Sequence, residues 1–133
     1  MPLGDSITQG ITSGIANEAF QVSYRKTLYD DLEAAGYVIN DEIFVGTLSS
    51  GDLVPDFDPD HDGHPGWRAD QIVAGRIGSG EGTLSDWLMA EEPNIVLLHI
   101  GTNDVSAANE NASEVEDILA VIDDYEFTSG KNV

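Results

Sequence analysis

Pro93 and Gly101 bracket the stretch that most constrains this chain: between them, Ile95-Val96-Leu97-Leu98 is continuously apolar. The run is too short for a full helix, and a strand wetted on one side would alternate instead. Residues 94–100 are therefore expected to form a buried central strand, covered on both faces. The rest of the chain supplies the cover. Residues 24–35 read as a helix with Leu28, Leu32 and Ala35 on one face and Gly36 where a C-terminal cap belongs. A second helix, starting near Trp67, carries Ile72 and Val73. After a glycine-rich break at 78–82, residues 84–90 form a third, stopped by Pro93. Ser113 and Glu116 make a Ser-x-x-Glu capping box, and Val115, Ile118, Leu119, Ile122 and Tyr125 follow at helical spacing. Residues 1–3 read as the tail of a strand and Ile43-Phe44-Val45 as another short one. Short apolar runs alternating with amphipathic segments specify βαβ units and a parallel sheet.

With 133 residues, 41% of them hydrophobic, the chain suits one domain spanning 1–133. No apolar run reaches membrane-spanning length, and Met1 leads into Pro-Leu-Gly-Asp without a basic and apolar leader. There is no cysteine, which excludes disulfides, thiolate metal sites and a thiol nucleophile. Twenty-five acids against five bases give a net charge of −20. Such a surface repels nucleic acid, anionic membranes and polyanionic substrates, and leaves neutral substrates unpenalised.

Two turns carry the chemistry. Gly4-Asp5-Ser6-Ile7-Thr8 follows the first strand, so Ser6 is expected at the C-terminal edge of the sheet, where open α/β sheets place their sites. Gly101-Thr102-Asn103-Asp104 follows the apolar strand and reaches the same edge. There the Asn103 amide can face a developing oxyanion, a contact that lowers acyl-transfer barriers by about 3 kcal/mol. Each segment alone is also an ordinary polar turn. Between them lies a long loop, 47–66, rich in Asp, Gly and Pro. Within it Asp58, Asp60 and Asp62 followed by Gly63 match the opening of an EF-hand loop, which makes them candidate calcium ligands. The Glu needed at the twelfth position is absent, because Ala69 stands there.

Met1-Pro-Leu-Gly-Asp-Ser-Ile-Thr-Gln-Gly10 resembles the first conserved block of the GDSL (SGNH) hydrolases, and Leu98-His-Ile-Gly-Thr-Asn-Asp104 resembles the third. Asp60-His-Asp-Gly-His-Pro-Gly-Trp67 is similar to the corresponding region of carbohydrate esterase family 3, as are Tyr24-Arg25 and Val45-Gly46. The resemblance implies a three-layer α/β sandwich with a parallel sheet, flavodoxin-like, lacking its C-terminal part. It implies a serine esterase removing acetyl groups from an acetylated, xylan-like carbohydrate through an acyl-enzyme, with no cofactor needed for the chemistry and at most a structural calcium. Ser6 would be the nucleophile. The oxyanion donors would be the N–H groups of Ser6 and Gly66, with Gly63 as fallback for the second, and the Asn103 amide. Asp5, His64 and Trp67 are candidate substrate contacts, with a structural role favoured for His64 and packing at a helix start favoured for Trp67. An extracellular location is also implied.

The family's Asp-x-x-His block, which supplies the base, has no counterpart after Asp104. A segment beyond these residues, or a second chain, would have to complete the site. Asp58-Pro-Asp-His61 matches the string but precedes the third block, and His99 reads as a core histidine. Arg25, one of only five bases, is expected in a buried or partnered role, by default a salt bridge. Three other readings stay open: a catalytically incomplete fragment, a calcium-dependent carbohydrate-binding module, and a lipase- or thioesterase-type hydrolase.

Overall fold

A computed structural model describes residues 1–11, 14–37, 43–108 and 113–133. In chain order the elements are β1 (Pro2–Gly4), α1 (Ser6–Gln9), a 3-10 turn (Glu18–Phe20), α2 (Ser23–Ala34), β2 (Leu48–Ser49), β3 (Asp60–Gly63), α3 (Ala69–Ala74), α4 (Leu84–Glu91), β4 (Leu97–His99), α5 (Thr102–Ser106) and α6 (Ser113–Ser129). The sheet order is β2-β3-β1-β4. Strand β1 is central and runs parallel to both neighbours, with Gly4 opposite Gly63 on one side and His99 on the other. The sheet is mixed, because β2 pairs antiparallel with β3.

Helices α3, α4 and α6 pack together over one face, where Leu3, Trp67, Ile72, Leu84, Trp87, Leu88, Ile118 and Tyr125 form the core. Helix α2 lies on the other face, with Tyr29 edge-on to Phe44 and Phe57. The result is the expected three-layer α/β arrangement. Gly36 ends α2 as expected, at φ 80°, with the Tyr37 N–H donating to the Leu32 carbonyl at 2.9 Å.

Four expectations change. First, the second strand is not at Ile43-Phe44-Val45, which is irregular; the adjoining residues 38–42 lie outside the described residues. The strand beside β1 is instead Asp60-His-Asp-Gly63, from the supposed loop. Residues 61–63 are buried despite their polarity and Asp60 is half-buried, and the neighbouring carboxylates are met by donors. Asp58 takes the N–H groups of Ile43 and Phe44, both at 2.7 Å, and Asp62 takes the Thr47 N–H and hydroxyl. Second, the buried residues of α2 are Arg25 and Tyr29, one turn apart, while Leu28 and Leu32 are half-buried and Ala35 is exposed.

Third, β4 is an edge strand and not a buried central one. Ile95 is 64% exposed and Leu97 36%. Among the described residues only one flank of β4 is paired, through contacts such as the Leu97 N–H to the Met1 carbonyl at 2.9 Å. Apolar cavities of about 610 and 490 Å3 lie between β4 and α2, lined by Leu28, Leu97, His99 and neighbours. His99 is consequently exposed, beside the Tyr24 ring, rather than a core residue. Fourth, the α6 stripe is only partly used: Ile118 and Tyr125 are buried, but Leu119 is 52% exposed. Ser113 already belongs to α6, and the residues before it, 109–112, lie outside the described residues.

Candidate active site

Ser6 is the first residue of α1, two positions beyond the end of β1. Asp5 caps this helix, with its Oδ1 accepting the Ile7 N–H at 2.8 Å. At the other end Gly10, at φ 105°, closes the turn with its N–H on the Ser6 carbonyl. The turn can sit this close to the sheet because Gly4 and Gly63 lack side chains. A Cβ at Gly4 would overlap the His99 carbonyl oxygen and Thr8 Oγ1, and one at Gly63 would strike the Gln9 N–H. Ser6 itself is half-buried.

Beyond β3 the chain makes a tight turn, His64-Pro65-Gly66-Trp67. The His64 N–H donates to the Gly4 carbonyl at 2.9 Å, and the Trp67 N–H closes the turn on the His64 carbonyl at 3.1 Å. Proline second and glycine third, with Gly66 at φ 76°, is the type II pattern. The Gly66 N–H lies on the central peptide of this turn and makes no hydrogen bond among the described residues. The Gly63 N–H is already taken by His61 Nδ1 at 2.8 Å. Of the two glycines, Gly66 therefore keeps a free donor, and the Gly63 fallback falls away.

The turn after β4 braces the same place. Asn103 Nδ2 donates to the Trp67 carbonyl at 2.7 Å, and the Asp104 carboxylate accepts the Ala69 N–H at 3.1 Å. Strands β3, β1 and β4 are adjacent and parallel, so the Gly66, Ser6 and Asn103 turns share one sheet edge. The three predicted donor residues therefore stand on neighbouring turns along that edge.

It does not do the same for the predicted substrate contacts. Asp5 and His64 are fully buried and Trp67 is 2% exposed, so all three are structural in this arrangement. The His64 ring stacks on Trp87 with centroids 4.2 Å apart, lies 4.5 Å from Trp67, and places Nδ1 2.9 Å from Glu81. The EF-hand-like reading of Asp58, Asp60 and Asp62 gives way as well. Residues 60–63 are a strand, and the carboxylates of 58 and 62 serve backbone N–H groups. Among the described residues the acidic group with oxygens within 4.8 Å of one another is Asp70, Asp104 and Glu114. Asp70 pairs with Arg68, and Asp104 accepts the Ala69 N–H.

Among the described residues no histidine hydrogen-bonds the Ser6 hydroxyl. His61 Nε2 faces the Ser50 hydroxyl at 2.8 Å while Nδ1 accepts from Gly63, which fixes a neutral ring with its proton on Nε2. Burial, reinforced by the Arg25 charge and by His64, lowers its pKa to about 3. By contrast, burial and the neighbouring Asp58 raise Asp60 to about 6.

Arg25 ties these parts together, in the buried role the sequence allowed but without the salt bridge taken as its default. Arg25 is fully buried and makes no salt bridge among the described residues. Its guanidinium instead donates to the carbonyls of Thr8, Gln9, Gln21, Ser50 and Pro59 and to the Ser50 hydroxyl, at 2.7 to 3.1 Å. It therefore fastens the end of α1 to the start of β3. Burial lowers its pKa to about 10. The one available signal was scarcity, since only five bases stand among 25 acids.

A mixed α/β sheet thus carries Ser6, Gly66 and Asn103 on turns at one edge. The model of the GDSL-like lipase/acylhydrolase family matches residues 1–127, and the chain belongs to that family. A multidomain esterase of Ruminococcus flavefaciens is 34% identical over 86% of this chain, which covers 15% of that protein. A family 3 carbohydrate esterase of Clostridium thermocellum is 34% identical with a TM-score of 0.73, covering 95% of this chain and 55% of its own. A family 3 carbohydrate esterase from Talaromyces cellulolyticus is 29% identical with a TM-score of 0.65, over 94% of this chain and 53% of its own. The chain thus lies close to carbohydrate esterase family 3 and spans about half the length of those solved structures.

Proposed function

We propose that this chain is the nucleophile-bearing part of an esterase that removes acetyl groups from carbohydrate. Ser6 attacks the ester carbonyl, and the oxyanion is received by the N–H groups of Ser6 and Gly66 and the Asn103 amide. The sugar hydroxyl leaves with a proton. Water then attacks the acetyl carbon, the bond to Ser6 Oγ breaks, and acetate is released. The observation that carries the reading is the unused Gly66 N–H, on a turn that flanks the Ser6 turn on one side as the Asn103 turn does on the other. A neutral acetylated sugar suits a chain of charge −20 better than an anionic substrate does.

The base comes from outside these 133 residues, from a further segment or a second chain. Two features support this: among the described residues none of His61, His64 and His99 hydrogen-bonds Ser6, and one flank of β4 is unpaired. The same features favour a second reading, in which these residues alone turn over no substrate.

Hydrolysis of p-nitrophenyl acetate by the chain, beside Ser6→Ala and Asn103→Ala, tests the proposal. Residual turnover is expected in the unaltered chain, absent in the Ser6 variant and about a hundredfold lower without the Asn103 amide. Equal rates in the chain and Ser6→Ala would favour the second reading. Acetylated xylan compared with long-chain acyl esters and thioesters separates the carbohydrate esterase from lipase- and thioesterase-type chemistry.

A further inference from the structure

Five basic residues serve a chain of net charge −20, and four are engaged. Arg25 is held by carbonyls, Lys26 pairs with Asp30, Arg68 with Asp70, and Lys131 with Glu92. Arg76 is the fifth. It is exposed and forms no ion pair among the described residues. A cation that stays unpaired amid 25 acids is set apart by its position.

That position is the Gly66 turn. Arg76 Nη1 lies 3.8 Å from where a Gly66 Cβ would stand. The approach is built by the chain reversal after α3. Gly75, at φ 77°, ends the helix and passes so near the Gly82 carbonyl that a side chain there would collide with it. The Arg76 carbonyl is then fixed by the Ser79 N–H and hydroxyl, both at 3.0 Å. The nearest cavity, about 460 Å3, also holds Asp70, but that carboxylate is occupied by Arg68.

We propose that Arg76 is the anion-binding residue of the site, gripping the carboxylate that deacylation releases and favouring the negative charge that develops on the way to it. This rests on the acyl-enzyme reading above. The chemical need is specific to this chain. The −20 surface opposes any anion at the sheet edge, whereas the Ser6, Gly66 and Asn103 donors carry only partial charges. A guanidinium beside the turn offsets that field locally, within a distance that salt does not screen, and its forked donors match a carboxylate.

The test is titration of the full chain with sodium acetate at constant ionic strength, followed by amide NMR. In the unaltered chain the amides of Ser6 and Gly66 and the Asn103 side chain are expected to shift together. Arg76→Gln should weaken acetate about tenfold or more, and Arg76→Lys should recover part of the loss. Lys131→Gln, which removes the same charge beside Glu92, should bind as the unaltered chain does. Arg76 is exposed, so the variants should keep their melting temperature. Equal affinity of Arg76→Gln and the unaltered chain overturns the role of Arg76 and leaves the esterase reading intact. Equal weakening by Lys131→Gln also overturns it, because general charge would then account for the effect. If acetate shifts none of the three donors in the unaltered chain, both readings fall.

Discussion

The two flanks of β1 are built on opposite principles. On the β3 side the contacts are polar and nearly all satisfied: Arg25, Ser50, His61, Asp58 and Asp62 knit backbone to side chain with little apolar help. On the β4 side the residues are apolar and incompletely covered, with Ile95 and Leu97 reaching water above two cavities. The difference teaches where this fold is self-sufficient. A polar network completes itself from within the chain and fixes geometry through direction. An apolar strand depends on whatever lies against it, so its burial is a property of its neighbours.

Breaking the polar flank should cost most. Arg25→Met takes a donor from five carbonyls at once, of which those of Gln9 and Pro59 keep a Ser50 donor, and urea unfolding is expected to show a loss of more than ~4 kcal/mol. A loss under ~1 kcal/mol would mean that the carbonyls find water and that the flank is not rigid.

A second experiment uses pH. His61 holds a folded pKa of about 3, below the ordinary 6.5. The unfolded chain therefore binds a proton in that window that the folded chain does not. The stabilisation is complete above pH 6.5 and is lost progressively as pH falls towards 3, by on the order of a few kcal/mol. Asp60 works the other way: its folded pKa of about 6 exceeds the ordinary 3.8, so its penalty grows as pH rises between them. Comparing His61→Asn with the unaltered chain isolates the first contribution, and the variant should show the shallower acid slope. Identical slopes would refute the neutral, locked ring.

The open flank should respond least. Leu97→Ala is expected to cost under ~1 kcal/mol, against ~2–5 kcal/mol for Leu88→Ala in the covered core. Similar losses at the two positions would show that β4 is buried in solution and would erase the contrast between the flanks.

The same contrast decides how much could be read in advance. Ser6 and Asn103 were legible because strand-to-turn junctions in parallel sheets deliver their residues to one edge. Helices α2, α4 and α6 were legible from period and caps. Strand β3 was not, since Asp-His-Asp-Gly has neither β-branched residues nor alternation, and its stability lies in hydrogen bonds made by Thr47, Ser50 and Gly63. The burial of β4 was overread for the complementary reason: its apolar run specifies a preference for cover, not its presence. Asp5, His64 and Trp67 carry side chains common on binding rims, and nothing in their identity reveals that a cap, an indole stack and a core had claimed them.

The facing pair Gly4 and Gly63 has one more effect. With no side chain between them, the segment bearing Ser6 rests on main chain instead of on an adjustable cushion. The hydroxyl-bearing turn accordingly has little slack to lose when a ligand arrives, and its ordering entropy is settled at folding rather than at each encounter.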